Sequence, residues 1–285
     1  MVIEVQHWSG AGNRFVIVDN RKGMISNPLD VILVRSLCQR KDLPAAEGLL
    51  VLLDLNETDS KCYYDFYNPD GSTGVMCGNG ARCAVRHAAS SGHLERNLIE
   101  LILNGCMYCA ELIGNDRVAL RLPVYKDLRL IESWTYVNVG SHHVVIDARD
   151  IVQSIEDFHR FDLIRFAQEH LNSYRKKVGI ESLNLTIAYP TVDQQIVRIR
   201  TYENGVFDET QACGTGAVST AIAFWIRNII RQVKIQLIPT SQRMLTVHLD
   251  INTEREEIIQ GMTLEGDARQ DTTSSQFDID SMRYL

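Results

Sequence analysis

Cys77-Gly78-Asn79-Gly80-Ala81 and Cys213-Gly214-Thr215-Gly216-Ala217 are the same pentapeptide with one residue changed, 136 positions apart. A second pair precedes each copy. Gly12-Asn13-Arg14-Phe15-Val16-Ile17-Val18-Asp19 is echoed 128 positions later by Gly140-Ser141-His142-His143-Val144-Val145-Ile146-Asp147. Two pairs in the same order, with offsets eight residues apart, indicate a duplicated half with one small insertion. The expected division is a half over 1–125 that carries Cys77 and a half over 126–285 that carries Cys213.

Working outward from the repeats, Phe15 to Val18, Leu49 to Leu55 and Lys61 to Tyr67 read as strands, the last ended by the turn Asn68-Pro69-Asp70-Gly71. Pro28 to Lys41 carries apolar residues at helical spacing, with Asn27 as its cap. Helices are expected from Gly78 to Ser90, Phe161 to Lys177 and Gly214 to Ile230. Leu98 to Leu122 reads as a strand meander with a hairpin at Gly114-Asn115-Asp116. Asn184 to Tyr189, Ile196 to Tyr202 and segments near 233–238, 244–249 and 258–264 complete the strands, and the polar tail after Asp267 gives no signal. Strands and helices mix without strict alternation, and the class is α+β.

The chain of 285 residues has 45% hydrophobic and 23% charged residues, which fits a globular protein and excludes a disordered one. A net charge of −7 disfavours binding to a phosphate backbone, so no nucleic-acid partner is expected. No apolar run reaches membrane-spanning length and no signal peptide is evident, so the expected location is cytoplasmic. Seven cysteines, an odd count, do not form a disulfide framework. Cys106-Met-Tyr-Cys109 lacks the second pair that a zinc site needs, and Cys38 and Cys62 read as core filling.

Cys77 and Cys213 each stand before a glycine-rich helix start. Such a terminus has unpaired N–H groups and partial positive charge. It favours the thiolate and can hold a carboxylate. If the halves face one another, two thiols flank one anion site. One can take a proton from a carbon while the other delivers one to the opposite face, which inverts the α-carbon of an amino acid.

With these motifs, Gly10-Ala11-Gly12-Asn13, Asn68-Pro69-Asp70-Gly71-Ser72, Met76-Cys77-Gly78-Asn79-Gly80-Ala81-Arg82-Cys83 and Glu209-Thr210-Gln211-Ala212-Cys213-Gly214-Thr215-Gly216-Ala217, the chain resembles the cofactor-independent diaminopimelate epimerases along nearly its whole length. The resemblance implies two pseudo-symmetric halves, each a mostly antiparallel sheet wrapped around a central helix. It also implies that Cys77 and Cys213 are the acid/base pair, assisted by His143 and Glu203. It implies that Gly78, Asn79, Gly214 and Thr215 offer backbone donors to the reacting carboxylate, and that Asn13, Asn68 and Asn184 contact substrate through their side chains. It further implies a homodimer that uses no cofactor, pyridoxal phosphate or metal, acts on a small-molecule amino acid in lysine biosynthesis, and converts LL- to meso-diaminopimelate. The chain departs from the family pattern at Arg14, at Leu43-Pro44-Ala45-Ala46-Glu47, at Ser141-His142 and at Asn204. Asn204 stands where the family has the arginine that holds the distal carboxylate, and Arg14 is a candidate replacement charge. A racemase of another amino acid is therefore the alternative, and a non-catalytic protein of related fold a third reading.

Overall fold

The computed structural model describes residues 1–280 except 27, 41–42, 74–75, 92–93, 95–96, 192–195, 253 and 255–257. The chain packs as two units, residues 1–121 with 266–285, and residues 122–265.

In the first unit β1 (Val2–Gly10) and β2 (Asn13–Asp19) form an antiparallel hairpin. Helix α1 (Val31–Cys38) leads to β3 (Leu49–Asn56), parallel to β2, and β4 (Lys61–Tyr67) returns antiparallel to β3. Helix α2 (Gly78–Ser91) leads to β5 (Leu98–Leu103), parallel to β4. The antiparallel strands β6 (Cys106–Ile113) and β7 (Arg117–Leu122) follow, joined at Gly114, whose φ of 60° suits glycine.

The second unit repeats the order. The hairpin of β8 (Asp127–Ile131) and β9 (Trp134–Asn138) precedes β10 (His142–Asp147), which is antiparallel to β9. Helices α3 (Ile155–Arg160) and α4 (Leu163–Val178) cross to β11 (Asn184–Pro190), parallel to β10. Strand β12 (Ile196–Glu203) is antiparallel to β11 and carries the short β13 (Asp208–Glu209) on its end. Helix α5 (Gly214–Ile226) crosses to β14 (Lys234–Ile238), parallel to β12, and the antiparallel strands β15 (Leu245–Asn252) and β16 (Ile258–Asp267) follow. The chain ends on β17 (Arg269–Asp278), antiparallel to β1. Each unit therefore contains a strand, a helical crossover, two antiparallel strands, a second helical crossover and a strand, with the cysteine at the start of the second crossover's helix. The α+β class expected from the sequence is observed.

In each unit the central strands bury both faces. In the first unit α1 covers Val16, Val18, Leu49 and Val51 with Leu33, Val34 and Leu37. In the second, α3 and α4 cover Val144, Ile146, Leu185 and Ile187 with Phe158, Leu163, Ala167 and Leu171. The opposite faces wrap α2 and α5. Helix α5 is apolar on all sides, and Ala217, Val218, Ala221, Ile222 and Phe224 are each at most 1% exposed, as expected of a helix enclosed by sheet.

Three helix boundaries differ from the sequence reading. Helix α1 starts at Val31 because Asp30 caps it, its carboxylate accepting the Ile32 N–H at 2.7 Å, while Leu29 is buried from an extended segment. The expected cap Asn27 and the expected end Lys41 lie outside the described residues. Helix α4 starts at Leu163 behind the cap Asp162 and stops at Gly179, whose φ is 75°. Helix α5 ends at Ile226, four residues early. Asn228 turns left-handed at φ 59°, and Arg227 donates to Thr135 Oγ1 and the Trp134 carbonyl.

Candidate active site

At the start of α2, Cys77 Sγ accepts the Gly80 N–H at 3.5 Å, and its carbonyl accepts the Ala81 N–H at 2.8 Å. The thiol is half-buried. Glycines let other strands reach this turn. A Cβ on Gly10 would lie 2.7 Å from the Asn79 carbonyl oxygen, and one on Gly80 would lie 3.3 Å from the Phe15 ring. Asn13 is buried on β2, on the face it shares with Phe15. Arg14 alternates to the other face, with Val16 and Val18, and is exposed. Asn68 makes its hydrogen bonds inside its own turn. Its Nδ2 donates to Ser72 Oγ at 2.9 Å, its N–H to the Ser72 carbonyl, and its carbonyl accepts from Gly71.

One turn along α2, Arg82 is completely buried. Its guanidinium donates to the Gly78 carbonyl at 3.2 Å, to Asn79 Oδ1 at 2.7 Å and to the Asp267 carbonyl at 3.5 Å. It thereby fixes the first two residues of α2. Asp267 also accepts the Ala11 N–H at 2.9 Å, which ties the end of β16 to the loop before β2.

At the start of α5, Cys213 is the helix cap. Its Sγ accepts the Gly216 N–H at 3.3 Å and lies 3.4 Å from Thr215 Oγ1. The same hydroxyl lies 2.9 Å from His143 Nε2. His143 faces Asn184 directly across β10 and β11, and its Nδ1 lies 3.4 Å from Thr186 Oγ1, which pairs with Thr201 Oγ1 at 3.0 Å. Glu203, at the end of β12, is hydrogen-bonded to Cys213 and accepts from Thr210 Oγ1. The turn at Gly216 is tight, since a Cβ there would lie 2.8 Å from Thr201 Oγ1.

The asparagines of this unit hold the protein together. Asn184 Nδ2 donates to Ser141 Oγ at 2.8 Å and to the His142 carbonyl at 3.1 Å, and Asn184 Oδ1 accepts the Asn204 N–H at 2.8 Å. The Asn204 side chain turns toward α4. Its Oδ1 accepts from Arg175 at 2.8 Å, and its Nδ2 donates to Ser182 Oγ.

Burial dominates the electrostatics. It pushes the His143 pKa down to about 3, with His142 adding to the effect, so the ring is neutral. It raises the Glu203 carboxyl against the opposing hydrogen bonds from Thr210 and Cys213. It raises the Cys213 thiol well above its ordinary value, and the neighbouring Glu203 charge acts in the same direction. Cys38 and Cys62 are pushed up to about 12 by burial alone, as inert core thiols. Cys106 and Cys109 are exposed, and their odd spacing on β6 points them to opposite faces. Among the described residues no group of three or more His, Cys, Asp or Glu could hold a metal ion.

The second unit therefore brings Cys213, Thr215, His143, Asn184 and Glu203 into one network, and the first brings Cys77, Gly78 and Asn79 together. The Thr215 hydroxyl, Thr186, Thr201, Thr210 and Arg82 were not singled out from the sequence. The available signal for the threonines was their parity. Thr186 and Thr201 are opposite one another on two apolar strands, on the face of His143.

The structure superposes on a hydroxyproline epimerase from Agrobacterium vitis with bound trans-4-hydroxy-L-proline, with a TM-score of 0.66 at 14% identity, covering 98% of this chain and 93% of that one. It superposes on a phenazine biosynthesis protein of the PhzF family from Bacillus anthracis with a TM-score of 0.72 at 13% identity, covering 98% and 100%. Residues 7–110 match the family model for diaminopimelate epimerase. The diaminopimelate epimerase of Chlorobaculum tepidum is 31% identical over 268 residues, 92% of this chain and 96% of that protein. That of Flavobacterium psychrophilum is 31% identical over 221 residues, 78% and 81%. The chain belongs to the diaminopimelate epimerase family and is an isomerase.

Proposed function

We propose that the protein inverts one α-carbon of diaminopimelate, LL to meso, without a cofactor, with Cys77 and Cys213 as the acid/base pair. The observation that carries this reading is the duplication itself: each of two units of like topology sets one thiol at the start of the helix that follows its antiparallel strand pair, and a helix start is a place that suits a carboxylate. One thiolate removes the α-proton. The N–H groups of Gly78, Asn79, Gly214 and Thr215 stabilise charge spreading into the carboxylate. The other thiol gives its proton to the opposite face, with Glu203 and His143 assisting and Asn13, Asn68 and Asn184 shaping the substrate pocket. A homodimer in the cytoplasm, serving lysine biosynthesis, completes the proposal.

The second reading, a racemase of another amino acid, rests on a specific observation. The Asn204 side chain is engaged by Arg175 and Ser182, and Arg14 faces the α1 side of β2. Neither supplies the charge of the family's distal arginine. Losing a charged hydrogen bond costs roughly 1.5–3 kcal/mol, about ten- to a hundredfold in specificity. Steady-state kinetics on LL-diaminopimelate and on a panel of neutral and basic L-amino acids decides between the two. The diaminopimelate reading expects the highest kcat/KM on LL-diaminopimelate, with Arg14→Ala unchanged. No turnover of diaminopimelate, with exchange on a monocarboxylic amino acid, would establish the racemase instead.

A further inference from the structure

The segment that leads from β12 into α5 is held from both faces of that strand. Glu209 lies opposite Tyr202 on β12 and shares its face, toward α3 and α4, with Arg200. Arg200 grips both oxygens of Glu209, Nε to Oε1 at 2.9 Å and Nη2 to Oε2 at 2.5 Å. Its Nη1 donates to the Phe158 and Phe161 carbonyls, each at 2.8 Å. Thr240 Oγ1, from the loop after β14, donates to Glu209 Oε1 at 2.7 Å. Both charged side chains are only 14% exposed. An ion pair so enclosed adds little stability, because desolvation offsets the attraction, but its fork geometry fixes where Glu209 sits. Thr210 takes the other face. Its N–H donates to the Thr201 carbonyl at 3.1 Å, and its Oγ1 donates to Glu203 Oε1. Thr210 is 8% exposed. The next carbonyl, of Gln211, accepts the Ser241 N–H at 2.9 Å. The Thr210 bond sets the rotation of the carboxyl group to which Cys213 is hydrogen-bonded.

We propose that Thr210 is a positioning residue that acts through Glu203: its hydroxyl fixes the carboxylate against the Cys213 thiol, and the Arg200–Glu209–Thr240 clamp on the far face of β12 holds Thr210 in place. The inference rests on the assisting role given to Glu203 above and adds how that carboxylate is aimed. A hydroxyl donor favours the charged carboxylate, while burial favours the neutral acid. The charged and titratable groups around Glu203 in its unit are Cys213 at the start of α5, Arg200 and Glu209 across β12, Arg175 of α4 through Asn204, and His143 of β10 through Thr215. Without the Thr210 hydroxyl, the carboxyl group is free to rotate and keeps one donor fewer in the same enclosure.

Protein carrying glutamate isotopically labelled at the side-chain carboxyl, titrated by NMR without substrate, tests this, with the Glu203 signal assigned by its absence from Glu203→Gln. Thr210→Val keeps the shape of threonine and removes the donor. It is expected to raise the Glu203 midpoint by about one pH unit or more, roughly a tenfold change in ionisation, for the loss of one charge-assisted hydrogen bond. Thr210→Ser is expected to restore most of the shift. Thr210→Ala only removes atoms and carries the same expectation if the valine variant does not fold. Arg200→Lys keeps the charge and loses the fork, and is expected to move the midpoint in the same direction by less. On LL-diaminopimelate, Thr210→Val is expected to lower kcat with KM unchanged, and to move the acidic limb of the kcat profile upward with the carboxyl midpoint. An unmoved Glu203 midpoint in folded Thr210→Val or Thr210→Ala would overturn the proposal, as would a Thr210→Ser protein that behaves like Thr210→Val. An unmoved midpoint in Arg200→Lys would overturn the clamp's part in it. A protein that exchanges no amino-acid α-proton would defeat the two-thiol reading and leave the Glu203 titration standing, while an unmoved midpoint would remove the role of Thr210 and leave exchange intact.

Discussion

Alanine at either Cys77 or Cys213 is expected to lower epimerisation by about 10²–10⁴-fold or more, the range over which a positioned acid or base acts. The two positions are expected to respond alike, because inversion needs both faces of the carbon served in each turnover. Folding should survive. Cys77 is half-buried, and its contact to the Gly80 N–H is long. Cys213→Ala removes the acceptor for the Gly216 N–H, a helix cap worth about 0.5–2 kcal/mol. Far-UV circular dichroism and urea unfolding check the fold, and polarimetry or chiral chromatography checks turnover. Parental turnover in either single variant would show that one thiol suffices.

Acidification is expected to weaken the protein well above the pH at which carboxylates titrate, because two buried histidines are held neutral. His87, enclosed with Tyr64 and Trp8, is pushed down to about 4, and His143 to about 3, in each case chiefly by burial. Both folded pKa values lie below the unfolded value, so the unfolded chain takes up these protons first. Stability from each neutral ring is complete above about pH 6.5 and falls as pH drops toward the folded pKa. At pH 5, 1.5 units below the unfolded value, each contributes a loss of about 2 kcal/mol, roughly 4 kcal/mol together. Glu203 acts in the opposite sense. Its raised pKa adds stability that is present at low pH and lost as pH rises through its folded value, so it moderates the loss. Urea midpoints at pH 7.5 and 5 measure the sum, and His87→Gln should remove about half of the pH-dependent loss. Flat stability over this window, or a parental slope in His87→Gln, would contradict the burial argument.

The cysteine helix starts were readable because their signal is local: a cap, two glycines and small residues occupy six consecutive positions. The strand β4 and its turn at Asn68–Gly71 were readable for the same reason, apolar alternation ending in turn chemistry. Strand β17 was not. Its Arg-Gln-Asp-Thr-Thr-Ser-Ser-Gln run has no apolar alternation, and it is a strand because β1 presents an edge to it and because Phe277 packs on the α1 cluster. The end of α5 depended on contacts of Arg227 with β9, ninety-odd residues away in sequence. Within the candidate site, residue types were legible and their partners were not. Asn204 was expected as a pocket residue, and only the tertiary structure shows its side chain given to Arg175 on α4. Arg82 looks in sequence like any helix arginine, and its meaning appears only when strands close over it.

Epimerisation in deuterium oxide, followed from the first turnovers, tests the two-thiol claim most directly. LL-diaminopimelate would be incubated with the purified protein under reducing conditions, and the α-carbons of substrate and product read separately by NMR or mass spectrometry. With two thiols on opposite faces, the proton removed stays on one sulfur while a solvent-derived deuteron arrives from the other. The account expects newly formed meso product to carry deuterium from the start, while remaining LL substrate retains protium during early conversion. Product that retains the substrate's own proton, or deuterium entering unconverted substrate as fast as product forms, would point to a single base and contradict it.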